Sequence, residues 1–256
     1  MLQFVITPAA GKRLIAKAMA RHDAVASALQ DGTVVVVAGT TNGYVAEEIL
    51  RAIGQADGFR REAFVRGITT APSTATTDMG RLPDESRFPG DVVIERGQWQ
   101  RGKTIFDVVD DLREGDVILK GANALDLATR QAGILIGHPK GGTILAALQA
   151  VIGRRARLIL PVGLEKRVHS RIGDLAALLN APNAKGARLI PVPGEIVTEL
   201  EAVETLVPGA TARLVAAGGV CGAEGAVWLA VAGGDDCLVK ARRLAASVAG
   251  EPPFGL

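Results

Sequence analysis

Four short loops in the sequence carry residues that could bind and transform a small anion, and each loop follows an apolar segment. The loops span residues 39–43, 120–126, 138–143 and 164–167. They contain lysines, an arginine, a histidine, carboxylates and many glycines. Cationic side chains and backbone amides bind anions, whereas histidine and carboxylate side chains can transfer protons. Together the loops predict a cleft for a small anionic metabolite.

The first loop follows the valine run 34–37 and precedes an amphipathic segment. A β-branched run without polar alternation is typical of a strand buried on both faces, as in parallel sheets. Glycine lets the backbone approach a ligand closely, and the free N–H groups of a helix N-terminus attract phosphate. The residues predicted to hold the anion are Gly39, Thr40, Thr41, Asn42 and Gly43. A tight connection without a ligand explains the loop equally well, because its glycine spacing matches neither the dinucleotide fingerprint nor the P-loop.

The loop at 138–143 places a lysine between a proline and two glycines, which favours a ligand contact. The residues of this loop predicted to bind the anion are Lys140, Gly141, Gly142 and Thr143. His138 could act as an acid–base group near neutral pH, or it could simply bond within its loop.

The remaining loops supply the other candidates for chemistry. Lys120 ends an apolar segment, where a fully buried and unpaired lysine is disfavoured, so we expect it to face the cleft. Asp126 or a ligand anion could then pair with it. Glu165 beside Lys166 is an acid–base candidate, although an ordinary surface pair explains it as well. The predicted catalytic residues are Lys120, Asp126, His138 and Glu165.

Alternating strands and helices with short connections predict a three-layer αβα, Rossmann-like fold around a mostly parallel sheet. From Ala187 the pattern changes to β-α-β-β-α, which predicts a small α+β C-terminal subdomain. The predicted domains are therefore residues 1–186 and 187–256. Residues 55–90 are polar and weakly periodic, which is typical of a functional or mobile loop. If the strands before the four loops are parallel neighbours, the loops meet at one cleft.

Composition limits the function classes. The 256 residues carry a net charge of +2 with scattered basic residues and only 4% aromatics, which disfavours nucleic-acid binding. No apolar run approaches about 20 residues and no leader is evident, so we expect neither a membrane span nor secretion. The two cysteines and three histidines show no metal-ligand spacing. We therefore predict a cytoplasmic protein without a metal or cofactor.

The order of the segments AGTTNGYVAEEIL, DVILKGANALD, ILIGHPKGGTILAAL and RLILPVGLEKRV resembles the superfamily that holds ribose-5-phosphate isomerase, glucosamine-6-phosphate deaminase and the CoA transferases. The GANALD stretch also looks like the lactate-utilisation relatives. In the isomerase, a GTGST-type loop grips the sugar phosphate, and residues 39–42 stand in its place. Residues 120–126 replace a DGADE-type catalytic loop, 140–143 a KGGGGA-type lysine loop, and 165–166 a DESK-type turn. Relatives commonly self-associate, which implies a homo-oligomer.

The departures from this resemblance leave the activity open. The two acidic positions of the DGAD-type loop are Lys120 and Asn123 here, so an isomerase would depend on Asp126 or Glu165 as its base. A CoA transferase needs a nucleophilic glutamate, for which Glu95 and Glu165 are candidates. The predicted function is the binding of a sugar phosphate or CoA ester, with turnover as an isomerase or transferase if the protein is an enzyme. The alternative is a non-catalytic sensor of the same fold. The absent glycine fingerprint disfavours a nicotinamide dehydrogenase.

Overall fold

The computed structural model describes residues 1–67, 69–70 and 88–255. The strands of these residues are β1 (Leu2–Ile6), β2 (Thr33–Val36), β3 (Val92–Glu95), β4 (Gln98–Trp99), β5 (Val117–Leu119), β6 (Ala124–Asp126), β7 (Gln131–Ile136), β8 (Arg157–Pro161), β9 (Arg188–Val192), β10 (Glu195–Val197), β11 (Thr211–Ala217) and β12 (Val227–Ala232). Their α-helices are α1 (Pro8–Met19), α2 (Asp23–Asp31), α3 (Thr40–Ala52), α4 (Ile105–Val108), α5 (Gly142–Arg154), α6 (Ile172–Leu179), α7 (Glu199–Leu206) and α8 (Asp235–Ala249). Much of the polar segment 55–90 lies outside the described residues.

A mixed six-stranded sheet forms the centre of the molecule, with the order β10-β8-β5-β2-β3-β4. The four strands from β10 to β2 are parallel, and β3 and β4 are antiparallel to their neighbours. The valines of β2 are completely buried, as expected for a strand covered on both faces. The predicted α/β class with a mostly parallel sheet is therefore confirmed.

Helix α1 packs against α3 and α7 and buries Leu14 and Ile15. Thr7 begins α1 because its side chain accepts a hydrogen bond from the Ala10 N–H, and Pro8 occupies the first helical position. A capping box of Thr198 and Glu201 begins α7. No helix of the described residues is long and apolar enough to cross a membrane.

The expectation that all four candidate loops follow parallel neighbours is wrong for the third. Strand β7 lies in a separate antiparallel sheet with the order β6-β7-β9. Its Gly133 faces Ile172 of α6 and Leu189 of β9, so closely that a Cβ would meet their side chains at 3.0 and 3.1 Å. This sheet therefore buries its apolar face against α6, in a small cluster of its own, and adds no strand to the parallel sheet.

The strands after Ala187 do not form one subdomain sheet. Strand β9 pairs with β7, β10 extends the central sheet beside β8, and β11 and β12 form a third sheet with β1. The first helix of the β-α-β-β-α pattern is α7, which Thr198 caps directly after strand β10. The apolar pattern of residues 11–29 belongs to two helices, since His22 begins α2 by accepting the Ala24 N–H.

Candidate functional site

A cavity of about 700 Å³ opens at the carboxyl ends of β2, β5 and β8. Segments 38–42, 120–123 and 165–166, which follow those three strands, supply most of its wall. The other lining residues are Lys12, Arg66, Gly67, Thr69, Thr70 and Phe254. Three of the four predicted loops therefore meet at one cavity, where an open α/β sheet usually binds its ligand.

The N-terminus of α3 forms one wall. Gly39 precedes the helix, and no side chain caps it, so the first amides of α3 keep their capacity to bind an anion. Thr41 and Asn42 are buried, and neither Thr41 Oγ1 nor Asn42 Oδ1 has a hydrogen-bond partner among the described residues. Gly43 does not line the cavity. It packs against Arg61, whose Cβ would lie 3.2 Å from a side chain at position 43.

Two buried side chains fix this loop to the sheet. The Asn42 Nδ2 amide donates to Val37 O at 2.7 Å and to Leu119 O at 2.9 Å, which joins the ends of β2 and β5. Asp91 is also fully buried. Its Oδ1 accepts the Ala38 N–H at 2.9 Å, its Oδ2 accepts the Ile105 N–H, and it forms an ion pair with Arg66 at 3.2 Å.

Four cationic side chains line the cavity: Lys12, Arg66, Lys120 and Lys166. The Lys166 ammonium donates to Ala122 O at 2.8 Å. Burial lowers the pKa of Lys166 to about 8, partly opposed by Glu165. Burial also lowers the pKa of Lys120 to about 8; Asp91 opposes this shift, and Arg66 and Lys166 reinforce it. Both lysines therefore change protonation close to neutral pH.

Two carboxylates lie beside these cations. Glu165 Oε1 pairs with Lys12 Nζ at 2.8 Å, and Glu165 Oε2 is buried without a hydrogen-bond partner in the described part of the chain. Burial acts to raise the pKa of Glu165, but Lys12 and Lys166 outweigh it, so this pKa lies below its usual range. The carboxylate covers Gly163, where a Cβ would lie 1.8 Å from Glu165 Oε2.

Glu199 is the first residue of α7, two positions after β10, and lies close enough to Glu165 for the two charges to interact. Its Oε2 accepts the Leu164 N–H at 2.9 Å, which holds the turn that carries Glu165. Its Oε1 lies against Gly11, where a Cβ would come within 2.3 Å. Burial and the charge of Glu165 raise the pKa of Glu199 to about 7. Glu199 therefore supports the site through the turn at Leu164 without lining the cavity, and the loop after β7 is absent from the described wall.

Arg13, next to Lys12 on α1, anchors the last part of the described chain. It pairs with Glu47, Glu48 and Glu251, at 2.6, 2.8 and 2.8 Å. Arg61 also contacts Glu251, at 3.0 Å. This cluster holds the segment that brings Phe254 to the cavity wall.

The other predicted site residues lie outside the cavity. Asp126 accepts hydrogen bonds from the Ala128 N–H and from the N–H and hydroxyl of Thr129, so it stabilises the β6–β7 turn. The His138 ring accepts the Lys140 N–H at 3.1 Å, and Lys140 is exposed. Gly141 and Gly142 adopt positive φ angles of 77° and 63°, and with Thr143 they form the turn into α5.

Sequence reasoning missed Lys12, Arg66, Asp91 and Glu199. Each is a single charged residue outside any recognisable motif, which is a weak signal taken alone. The sequence did hold one hint for Glu199: the capping box assigns a role to Thr198 and Glu201 and leaves the acid between them without one. Among the described residues, no group of three or more His, Cys, Asp or Glu side chains could hold a metal.

Comparisons of the chain with protein families, with curated proteins and with solved structures find no match.

Proposed function

We propose that the protein binds a small phosphorylated or otherwise anionic metabolite, a sugar phosphate or a CoA ester, at the carboxyl ends of the parallel strands. The observation that carries this proposal is the charge of the cavity wall. Among the described residues, four cations and an uncapped helix N-terminus face the space, Glu165 is the carboxylate in the lining, and Asp91 lies beneath it, paired with Arg66. Such a wall favours an anion, because charge-assisted hydrogen bonds to oxyanions are among the strongest in proteins.

The size of the cavity supports the same class of ligand. A volume of about 700 Å³ lies within the range of small-molecule sites, roughly 300–1,000 Å³. The resemblance to the isomerase and CoA-transferase superfamily, and the Rossmann-like fold it implies, support the proposal at Gly39–Asn42, which line the cavity. That resemblance gives no support to a role for Lys140, which lies elsewhere.

The chemistry proposed for this site is proton transfer on the bound metabolite. Glu165 is the base, since it lines the cavity, Lys12 fixes its Oε1, and its Oε2 has no hydrogen-bond partner among the described residues and reaches a substrate once the carboxylate turns away from Gly163. Lys120 stabilises the negative charge that develops on the substrate, and the α3 N-terminus holds the phosphate. In this proposal Glu165 and Lys120 take the roles of the two acidic residues of the isomerase loop, whose positions hold Lys120 and Asn123 in this chain.

A non-catalytic sensor is the second candidate, and a specific contact favours it. Lys12 already neutralises Glu165 at 2.8 Å, and a carboxylate with a lowered pKa is a weaker base. In the sensor, the same cations bind the anion and no proton moves.

Binding is tested first by thermal unfolding with inorganic phosphate, aldose and ketose phosphates, and CoA esters. A ligand at 100 times its dissociation constant adds about 2.7 kcal/mol of stability. We expect Lys120→Gln to weaken binding about tenfold or more. The matched control is Lys140→Gln, which changes an exposed lysine outside the cavity and is expected to bind as the parent does. Equal losses in the two variants, or no stabilisation by any anion, would refute the proposal.

Turnover is tested in D₂O by proton NMR of the ligand that binds. Exchange of a carbon-bound hydrogen that disappears in Glu165→Gln, with binding retained, identifies the enzyme. Tight binding without exchange in the parent protein identifies the sensor.

A further inference from the structure

The four cationic side chains described in the cavity wall differ in their hydrogen-bond and ion-pair partners. Lys12 is paired with Glu165, Arg66 with Asp91, and the Lys166 ammonium donates to Ala122 O. Lys120 is different, since its Nζ makes no hydrogen bond or ion pair with any residue in the described ranges. A cation that needs no protein partner is available to react with a ligand.

The backbone around Lys120 is rigid. Its N–H donates to Ile159 O at 3.0 Å, directly after β5, and the adjacent Leu119 O is held by Asn42. The charged side chains that act on its ammonium are Asp91, Arg66 and Lys166. With burial, the two cations outweigh Asp91 and bring the pKa of Lys120 to about 8. The neutral amine is therefore a much larger share of Lys120 near pH 7.5 than of an ordinary lysine.

A neutral lysine amine in a cationic cavity is a nucleophile toward carbonyl carbon. We propose that Lys120 forms an imine with an anionic aldehyde or ketone whose phosphate or carboxylate is held by Gly39–Asn42. This inference rests on the function proposed above and names its substrate class.

The reaction balances without an oxidant or a reductant. Lys120 Nζ attacks the carbonyl carbon and a C–N bond forms. The carbonyl oxygen then leaves as water with the two hydrogens of the amine. The imine withdraws electrons from the neighbouring carbon, so its hydrogen becomes acidic enough for Glu165 to remove.

Pyridoxal 5′-phosphate is the probe, because it joins an aldehyde to a phosphate. The intact protein is incubated with it at pH 7.5, the imine is reduced with borohydride, and the modified lysines are mapped by peptide mass spectrometry. We expect Lys120 to be labelled at least about tenfold faster than the exposed Lys140, because burial favours the neutral amine of Lys120 and the cavity wall holds the phosphate of the probe. Inorganic phosphate should slow the labelling of Lys120 and leave that of Lys140 unchanged.

Two variants complete the test. Lys120→Arg keeps the charge but cannot form an imine, so it should bind inorganic phosphate and lose the label. Lys140→Arg should keep the Lys120 label. The inference is overturned if the most exposed lysines of the parent protein are labelled fastest, or if Lys166 is labelled in place of Lys120. This outcome is measured in the parent protein, so it does not depend on whether Lys120→Arg folds.

Phosphate binding to the parent, followed by thermal unfolding, separates the two proposals. If phosphate binds and Lys120 is not labelled, the imine is refuted and the anion site stands. If phosphate does not bind and does not slow the labelling of Lys120, both the anion site and the imine are refuted.

Discussion

Two loops of this protein look alike in sequence and differ in what surrounds them. Gly39–Gly43 and His138–Thr143 each follow a strand, contain glycine and threonine, and lead into a 13-residue helix without a side-chain cap. The first lines the cavity and the second does not. The difference is that β2 lies between parallel β5 and antiparallel β3, whereas β7 lies in a separate sheet. A loop of this kind forms a site only where neighbouring strands end beside it.

The supports of the two loops differ as well. Asn42 and Asp91, both fully buried, fix the first loop to the sheet. The second is held by Arg188, an exposed side chain that donates to the carbonyls of residues 136–138. We therefore expect the first loop to be far more sensitive to substitution than the second.

The largest effect should come from Asp91→Ala. This change removes the buried acceptor of the Ala38 and Ile105 N–H groups and the carboxylate of the Asp91–Arg66 ion pair, and breaking a buried ion pair costs about 3–5 kcal/mol. Arg188→Ala is the matched change at the second loop and should cost less than about 1 kcal/mol. Urea denaturation measures both. Similar losses of unfolding free energy in Asp91→Ala and Arg188→Ala would contradict the conclusion that the first loop is held more firmly than the second.

Glu199 should give the wild-type protein a pH-dependent stability. Its pKa is about 7 in the folded chain against an ordinary 4.5, so the folded state holds more protons between these values. Stability is therefore greatest below pH 4.5 for this group and falls as pH rises through about 7, by on the order of 3 kcal/mol. In Glu199→Gln this fall should be absent from denaturation curves at pH 5, 6, 7 and 8. If the free energy of unfolding falls equally with pH in the wild type and in Glu199→Gln, the pH dependence comes from other groups.

Asn42→Ala should cost about 2 kcal/mol, because the buried carbonyls of Val37 and Leu119 lose the amide that bridges them. His138→Ala, at the other loop, removes one hydrogen bond within a turn and should change stability by about 0.5 kcal/mol or less. Thermal unfolding of the two variants compares them directly. A larger loss of stability in His138→Ala than in Asn42→Ala would contradict the expectation that the first loop is the more sensitive to substitution.

The smallest effect is expected at Asp126, and with the opposite sign of pH dependence. The Thr129 hydroxyl, helped by the Thr129 and Ala128 N–H groups, outweighs burial and lowers the pKa of Asp126. Its contribution to stability is therefore present above the ordinary value of 3.8 and is lost as pH falls through the folded pKa. The stability difference between wild type and Asp126→Asn should shrink below pH 4. A difference that is constant with pH would show that Asp126 contributes no charge effect.

The sequence predicted those parts of the molecule that depend on local pattern. The valine run predicted the buried strand and the loop at 39–42 that follows it, and the cost of burying an unpaired lysine predicted that Lys120 faces the cavity. The pairing of β7 with β9 was not predictable, because residues 188–192 lie far from residues 131–136 along the chain, although the β6–β7 hairpin in the same sheet is local. The roles of Lys12, Asp91 and Glu199 were missed for the same reason, since each depends on contacts that only the folded chain creates.

Lys12 and Arg13 are neighbours on α1, yet they differ in mutational robustness. Arg13 shares its charge among Glu47, Glu48 and Glu251, so the loss of any one acid leaves two. Lys12 has one carboxylate, Glu165, and without it keeps only the Pro8 carbonyl among its described partners. Redundancy therefore buffers the anchor of the chain's last segment, whereas a single substitution is enough to break the ion pair at the cavity.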